Sequence, residues 1–248
     1  MSENILDIIE NMESVVGNKI PLTMLYNEGN MLRIVLQQLE EKVIINKDLT
    51  FPDDVDWYSE ALLPSPFLAR SRNDNLCEKW THADAVVGKF EIGKKRRCDL
   101  TLKDSCDFFY VIEAKMNSLL SMGTKNASQF NQVARYIACI SKLIQDKGID
   151  ISVFRKLAFY VILPEYKKRE KSFYNCTDKS NINETIKKRI ALYSSNQDTN
   201  RFNWLLNNLD NLLEKIDVKL ITWEEIINNC DQQTIKFYAN CKKHNHVR

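Results

Sequence analysis

Apolar residues follow two different periods along this chain, and together they predict a mixed α/β fold. Helical spacing runs over about 3–16 and returns in NEGNMLRIVLQQLEEK, which begins at Asn27. Residues 43–82 follow neither period, and the prolines in PDDVDW and LPSPF argue against a regular helix or a central strand there. We therefore expect that stretch to be irregular.

Three closely spaced segments then read as strands: ADAVVGKFEIG, RRCDLTL and FFYVIEAK. Their short polar connections predict an antiparallel meander. The elements expected after it are a helix over about 127–146, a buried strand RKLAFYVIL, a loose polar segment to about 180, helices in NETIKKRIALY and RFNWLLNNLDNLLEKI, a strand VKLITW and a short helix EEIINNC.

The later strands are reached through helices, so their pairing should be parallel. The predicted fold class is therefore α/β, with a mixed central β-sheet flanked by helices on both faces. No internal repeat or linker divides the sequence, which predicts a single domain over 1–248. Its core would span about 25–165, with an N-terminal helix at 3–16 and a C-terminal extension of helix and strand at 180–230.

Composition indicates a globular protein, with 44% apolar and 27% charged residues among 248. No stretch reaches the roughly 18 apolar residues that would span a bilayer, and the acidic start does not resemble a secretory signal. We expect no membrane contact and a cytoplasmic location. The seven cysteines lack a C-x-x-C pair and should be free thiols.

The C-terminal tail contains four potential zinc ligands at a spacing that fits no common zinc motif. They are Cys230, Cys241, His244 and His246. A zinc site there is conceivable, but a frayed polar tail is the better interpretation of this segment.

Positive charge is clustered although the formal net charge is only +2. The cluster that leads into the next motif is KKRR, made of Lys94, Lys95, Arg96 and Arg97. Such a cluster suits a phosphate backbone, although most charged runs are simply solvated faces. Two further clusters lie in KKREK at 167–171 and KKR at 187–189.

The apolar strand FFYVIEAK ends in Glu113 and Lys115, which lie on one face because side chains alternate along a strand. Folding RRCDLTL back onto it as a hairpin would bring Asp99 opposite Ile112 or Glu113. Two adjacent carboxylates repel unless a cation lies between them. We therefore expect a Mg²⁺ site, with Mn²⁺ as a substitute and the Ala114 carbonyl as a third ligand. The alternative is a surface salt-bridge cluster.

In that arrangement Lys115 would stabilise hydroxide and the charge that develops on a phosphate. CDL at 98–100 followed by VIEAK at 111–115 resembles the core motif of the PD-(D/E)XK nuclease superfamily, which has the restriction-endonuclease-like fold. The resemblance covers about 25–165. It implies that Asp99 and Glu113 bind the metal and that Lys115 assists the attacking water. Cys98 stands where the name-giving proline would be.

Two further features resemble the same superfamily. Gln132 and Tyr136, in QVARY, resemble the Gln-x-x-x-Tyr motif of its exonuclease-like branch, which implies that they contact nucleic acid or support the site. A helix before the sheet often supplies another acid, and Glu28 is the candidate here, with Glu40 and Glu41 as alternatives. The competing interpretations are a half-buried helix face for the first pair and a favourable helix-dipole contact for Glu28.

Other residues of interest have simpler interpretations. His82 and Asp84, in THADAVV, are interpreted as turn residues that open a strand. Trp57 and Tyr58 are expected in the core rather than in a base-stacking platform. Lys125 precedes the long helix, where it could meet a phosphate near the helix N-terminus.

The predicted function is Mg²⁺-dependent hydrolysis of DNA. The family resemblance implies products with 5′-phosphate and 3′-hydroxyl ends and a setting in restriction, defence or repair. The rival hypothesis is a non-catalytic module that uses the same fold to bind nucleic acid or protein. A third is an RNase or a structure-specific enzyme. A homodimer would suit cleavage of both strands.

Overall fold

A computed structural model of the chain describes residues 4–16, 21–72, 74–94, 96–193 and 199–245. Within them a five-stranded sheet has the order β1-β2-β5-β6-β7, and a separate two-stranded sheet pairs β3 with β4. The strands are β1 (Asp56–Leu63), β2 (Thr81–Gly88), β3 (Phe90–Ile92), β4 (Leu100–Leu102), β5 (Phe108–Ala114), β6 (Lys156–Leu163) and β7 (Asp217–Thr222).

Helices cover both faces of the large sheet. They are α1 (Ile5–Val16), α2 (Leu22–Leu25), α3 (Glu28–Glu40), α4 (Gln132–Lys147), α5 (Lys171–Thr177), α6 (Lys179–Ala191), α7 (Asn203–Lys215), α8 (Trp223–Ile227) and α9 (Gln232–His244). Helices α4 to α7 pack with the β3–β4 hairpin on one face. Helices α1 to α3, α8 and α9 pack on the other. No described helix is long and apolar enough to cross a membrane.

Strand β5 lies at the centre of the sheet, and each of its residues is buried. It pairs antiparallel with β2 and parallel with β6, while β6 pairs parallel with β7. The near-continuous apolar runs of β5 and β6 are typical of strands covered on both sides. The expected mixed sheet, with parallel pairing of the later strands, is confirmed.

The predicted meander is wrong, because ADAVVGKFEIG is two strands rather than one. The chain leaves the large sheet after Gly88, where a Cβ would lie 2.5 Å from the carbonyl oxygen of Phe108. Strand β3 then pairs with β4, so that β2 rather than β4 becomes the neighbour of β5. The supposedly irregular stretch also contains β1, an edge strand that ends just before Pro64.

Three further segments differ from the expectation. Helix α4 begins only at Gln132, because Asn131 caps it by accepting a hydrogen bond from the Ala134 amide. The segment before 180 contains α5, whose Phe173 is fully buried. The tail forms α9 and buries Phe237 against the sheet-covering helices, so it is not frayed over the described residues; His246 lies outside them.

Candidate active site

The ladder between β2 and β5 ends one residue short of a pair of acids. Its last registered pair is Ala85 with Ile112, and the next pair in the same register would be Asp84 with Glu113. The Asp84 Oδ2 atom instead accepts a hydrogen bond from the Ala114 amide at 2.7 Å. Asp84 therefore replaces a backbone partner at the strand end, and it lies next to Glu113.

Asp99 does not occupy that position, and the expectation that it faces Glu113 is wrong. It is bridged to Leu62 on β1, and β2 separates β1 from β5. Its Oδ1 atom accepts a hydrogen bond from the Arg96 amide at 2.9 Å, which closes the turn from Arg96 to Asp99. The structure therefore assigns Asp99 to the support of a basic turn rather than to a metal site with Glu113.

Glu113 is 2% exposed and has three side-chain partners. Its Oε1 atom lies 2.5 Å from Lys115 Nζ and accepts a hydrogen bond from Gln132 Nε2 at 2.6 Å. Its Oε2 atom lies 2.5 Å from the Tyr136 hydroxyl. Four of the five residues chosen from the two sequence motifs therefore meet at one carboxylate, and Asp99 is the exception.

The orientation of the Gln132 amide follows from its second contact. Gln132 Oε1 accepts a hydrogen bond from the backbone N–H of Ser121 at 3.0 Å. In return, the Ser121 carbonyl accepts one from the backbone N–H of Gln132 at 2.8 Å. The Nε2 group is then the one that faces Glu113. Gln132 thus links the loop before α4 to the carboxylate.

Tyr136 joins the ends of two strands. Its hydroxyl lies 2.6 Å from the His82 carbonyl as well as next to Glu113, and its single proton is donated to one of them at a time. Burial, with Glu113 nearby, raises the pKa of the Tyr136 phenol well above its ordinary value, so the phenol stays protonated. Tyr136 is 1% exposed, which places it in the support of Glu113 rather than on an open binding surface.

The two acids are not fully compensated by the nearby amine. Burial and then the Glu113 charge raise the pKa of Asp84 to about 7, against the lowering influence of the Ala114 amide and Lys115. An ionised Asp84 is therefore costly without a further positive charge. The pair is suited to hold either a proton or a cation.

Another acid lies in the same row of the sheet and was missed from the sequence. Ser59 pairs with Ala85 and Ala61 with Ala83, so Glu60 lies opposite Asp84. Its backbone is left-handed, with φ of 59°, and its charge contributes to the raised pKa of Asp84. Its exposed side chain lies 3.5 Å from Arg33. No local pattern pointed to it, because β1 itself was not recognised.

The candidates on the preceding helix have other positions. Glu28 begins α3, and no described contact joins it to Asp84, Glu113 or Lys115. Glu40 accepts a hydrogen bond from the Trp57 indole at 2.8 Å. Glu41 accepts one from Gln37 at 2.9 Å. The prediction that Glu28 supports the metal site gains nothing from this geometry.

The basic turn contacts the segment that leads into β2 through an aromatic side chain. The Arg96 guanidinium lies 5.3 Å from the ring centre of Trp80, which precedes β2. Arg97 is exposed, Lys94 pairs with Glu91, and Lys95 lies outside the described residues. Lys125 is exposed on the loop before α4, so the structure leaves it available to a phosphate.

A metal ion would find few ligands here. Among the described residues no group of three or more His, Cys, Asp or Glu side chains could hold one. The available oxygens are those of the acid pair and one backbone carbonyl. Asp84 Oδ1 has no hydrogen-bond donor among the described residues, and Glu113 uses three of its roughly four acceptor positions. The Ala114 carbonyl faces Asp84, since it points to the same side as its own amide.

Comparison of the chain with protein-family models, with curated proteins and with solved structures found no match.

Proposed function

We propose that this protein is a divalent-metal-dependent nuclease that acts on DNA, with Mg²⁺ as the preferred ion and Mn²⁺ as a substitute. The observation that carries the proposal is the meeting of Asp84 and Glu113 where the β2–β5 ladder ends, with Lys115 against Glu113. This arrangement resembles the PD-(D/E)XK motif, with Asp84 rather than Asp99 as its aspartate.

The donor set suits a hard cation. Asp84 Oδ1, Glu113 Oε2 and the Ala114 carbonyl would hold the ion, and Mg²⁺ commonly takes one or two carboxylates and keeps several waters. When bound, the ion would lower the pKa of an attacking water and neutralise charge on the phosphate. The raised pKa of Asp84 supports this fit, because a cation removes the cost of ionising two adjacent acids.

Lys115 would act on the phosphate. Its side chain is 12% exposed, and its amine lies 2.5 Å from Glu113 Oε1. An ammonium there would donate hydrogen bonds to a phosphate oxygen as negative charge develops in the transition state. Gln132 and Tyr136 would keep the Glu113 carboxylate in place while substrate enters.

The choice of a nucleic acid rests on exposed cations that lie on the loop before α4, in the segment that leads into β2 and in the basic turn that contacts that segment. Lys79, Lys125, Arg96 and Arg97 have no carboxylate partner among the described residues, whereas Lys89, Lys103 and Lys147 are paired. Unpaired surface cations near a metal site favour a polyanionic substrate. A setting in restriction, defence or repair would suit such an enzyme.

The test is cleavage by the purified protein of plasmid, linear duplex, single-stranded DNA and RNA, each with Mg²⁺, Mn²⁺ or EDTA. We expect Mg²⁺-dependent cutting of DNA and a loss of about 100-fold or more in kcat for Asp84→Asn and Glu113→Gln. Asp99→Asn is the matched control, because it keeps the oxygen that caps the basic turn, and it should cut like the wild type.

Two results would contradict the proposal. Failure of the wild type to cut any substrate with any ion would favour a non-catalytic binding module. Loss of cutting in Asp99→Asn but not in Asp84→Asn would show that the wrong aspartate has been assigned.

A further inference from the structure

A concave pocket of about 450 Å³ opens between the segment that leads into β2 and the start of α4. Its lining includes Lys79, Trp80, His82, Lys125, Gln132 and Tyr136. The last two of these residues also contact Glu113, so one wall of the pocket is the back of the candidate active site. Its size lies in the range of roughly 300–1,000 Å³ that is typical of sites for small organic groups.

Trp80 supplies the pocket with a fixed aromatic surface. The indole is half-buried, and the Arg96 guanidinium lies 5.3 Å from its ring centre. The indole N–H donates to no described residue. Arginine on an indole face is a favourable cation–π arrangement that limits movement of the ring. A planar ring held in this way suits stacking with another planar group.

The rim of the pocket is positively charged. Lys79 and Lys125 are both exposed, and neither has a carboxylate within salt-bridge distance among the described residues. The Arg135 guanidinium also lines the pocket, but it lies 3.7 Å from the buried Glu78 and is partly neutralised by it. The two free ammonium groups therefore suit an anionic backbone that passes over an apolar stacking surface.

Hydrogen bonds join the segments that line the pocket. Asn126 Nδ2 donates to the Cys77 carbonyl at 3.1 Å, which joins the loop before α4 to the turn before β2. The reciprocal contacts between Gln132 and Ser121 fix the other end of that loop. A preformed pocket loses less entropy when it binds a flexible ligand.

We infer that this pocket binds one unstacked base of single-stranded DNA, next to the phosphate that would lie at Asp84 and Glu113. Trp80 is the stacking residue, and Lys79 and Lys125 contact the flanking phosphates. The inference rests on the proposed function for the position of that phosphate. A base inside an intact duplex is stacked on both sides and does not reach a pocket of this kind unless it is flipped out.

The inference is tested by binding rather than by cleavage. A fluorescent single-stranded oligonucleotide is titrated with the protein in Ca²⁺ or EDTA, and its anisotropy is followed. Stacking on one aromatic residue is worth about 5- to 160-fold in affinity, so Trp80→Ala should weaken binding about 10-fold and Trp80→Phe much less. Trp57→Ala is the matched control, because Trp57 is also half-buried but lies outside the pocket; it should bind like the wild type.

A set of oligonucleotides with a single abasic position, moved along the strand, locates the base. One position should weaken wild-type binding by the same factor as Trp80→Ala, and the two changes together should cost no more than either alone. If Trp80→Ala does not fold, Trp80→Leu keeps the apolar volume without the aromatic face and takes its place.

The outcomes separate this inference from the proposed function. Equal binding by the wild type and the Trp80 variants, with no abasic effect, overturns the pocket assignment even if the enzyme cuts DNA. Binding that depends on Trp80, in a protein that cuts nothing, leaves the pocket assigned and refutes the hydrolase. Tighter, Trp80-dependent binding of RNA of the same sequence, or of the intact duplex, overturns the choice of single-stranded DNA.

Discussion

The two ends of strand β5 each gather acids and a lysine, but they balance charge differently. At the amino end, Lys89 lies 2.7 Å from Asp54 and 2.8 Å from Asp107. Arg155 pairs with the same two aspartates, at 2.9 and 3.0 Å. Two cations therefore meet two carboxylates, and hydrogen bonds from Lys89 hold the pKa of both aspartates below the ordinary value.

At the carboxyl end, the Lys115 amine lies 2.5 Å from Glu113, and it acts on Asp84 only through its charge, which lowers the pKa of Asp84. Burial and the second acid raise the pKa of Asp84 instead of lowering it. The same residue types thus form a charge-balanced network at one end of the strand and a network with one cation too few at the other. An acid pair kept short of one positive charge is what a cation site needs before its ion binds.

The largest expected difference between the two ends is catalytic. Lys115→Met should reduce kcat by about 100-fold or more, because it removes the amine proposed to face the phosphate. Lys89→Met should keep full cleavage and lower the free energy of unfolding by no more than about 1 kcal/mol, because the ion pairs that it loses are partly exposed and Arg155 still pairs with both aspartates. Steady-state kinetics and urea unfolding of both variants measure this contrast. A similar loss of kcat in both would remove the distinction.

The next difference concerns the support of Glu113. Tyr136→Phe removes the hydroxyl that contacts Glu113 and should raise the Mg²⁺ concentration for half-maximal cleavage by about 10- to 100-fold. Tyr160→Phe is the matched control in β6, where the hydroxyl donates to the Asp48 carbonyl at 3.2 Å, away from the acid pair. An unchanged Mg²⁺ requirement in Tyr136→Phe would show that Glu113 needs no such support.

These contrasts also show what the sequence can and cannot predict. Glu113 and Lys115 were found because strand alternation is local, and Gln132 and Tyr136 because residues four apart share a helix face. All four converge as expected. Local patterns sufficed for β5 and α4.

The identity of the paired aspartate is a matter of strand order, which is not local. RRCDLTL and ADAVV both offer an aspartate at a strand boundary, and nearness in the chain favoured Asp99. The decisive feature is the chain's departure from the sheet after Gly88, where the Phe108 carbonyl approaches too closely for any other residue. Glu60 could not be predicted for a further reason. Its left-handed backbone interrupts the in-and-out alternation of side chains by which an edge strand is recognised.

A smaller effect should appear in stability. The pKa of Asp84 is about 7 in the folded protein and about 4 in the unfolded chain, so the folded state favours the protonated acid. The stability that this proton contributes is fully present below about pH 4 and is lost as the pH rises to about 7. Asp84→Asn keeps an oxygen for the Ala114 amide but cannot ionise. It should stabilise the metal-free protein by about 1–3 kcal/mol at pH 8 and hardly at all at pH 4.

Asp107, at the amino end of β5, should change the stability with pH in the opposite direction. The pKa of Asp107 is lowered, so its contribution is present above the unfolded pKa and is lost as pH falls through the folded one. Asp107→Asn should therefore destabilise the protein at pH 8, by no more than about 1 kcal/mol because the side chain is partly exposed. Urea unfolding in EDTA at both pH values measures both variants. Destabilisation by Asp84→Asn at pH 8 would show that the acid pair is already compensated.

The smallest effect is the proton that a metal ion would displace. At pH 6.5 Asp84 is largely protonated, so binding of Mg²⁺ should release between about half and one proton, and at pH 9 almost none. Calorimetric titration in buffers of different ionisation enthalpy measures this number. Asp107→Asn should leave the release unchanged, because Asp107 is ionised at both pH values, whereas Asp84→Asn should abolish it. If equal numbers of protons are released at pH 6.5 and pH 9, the proton comes from a group other than Asp84. The ion would then not bind at the acid pair.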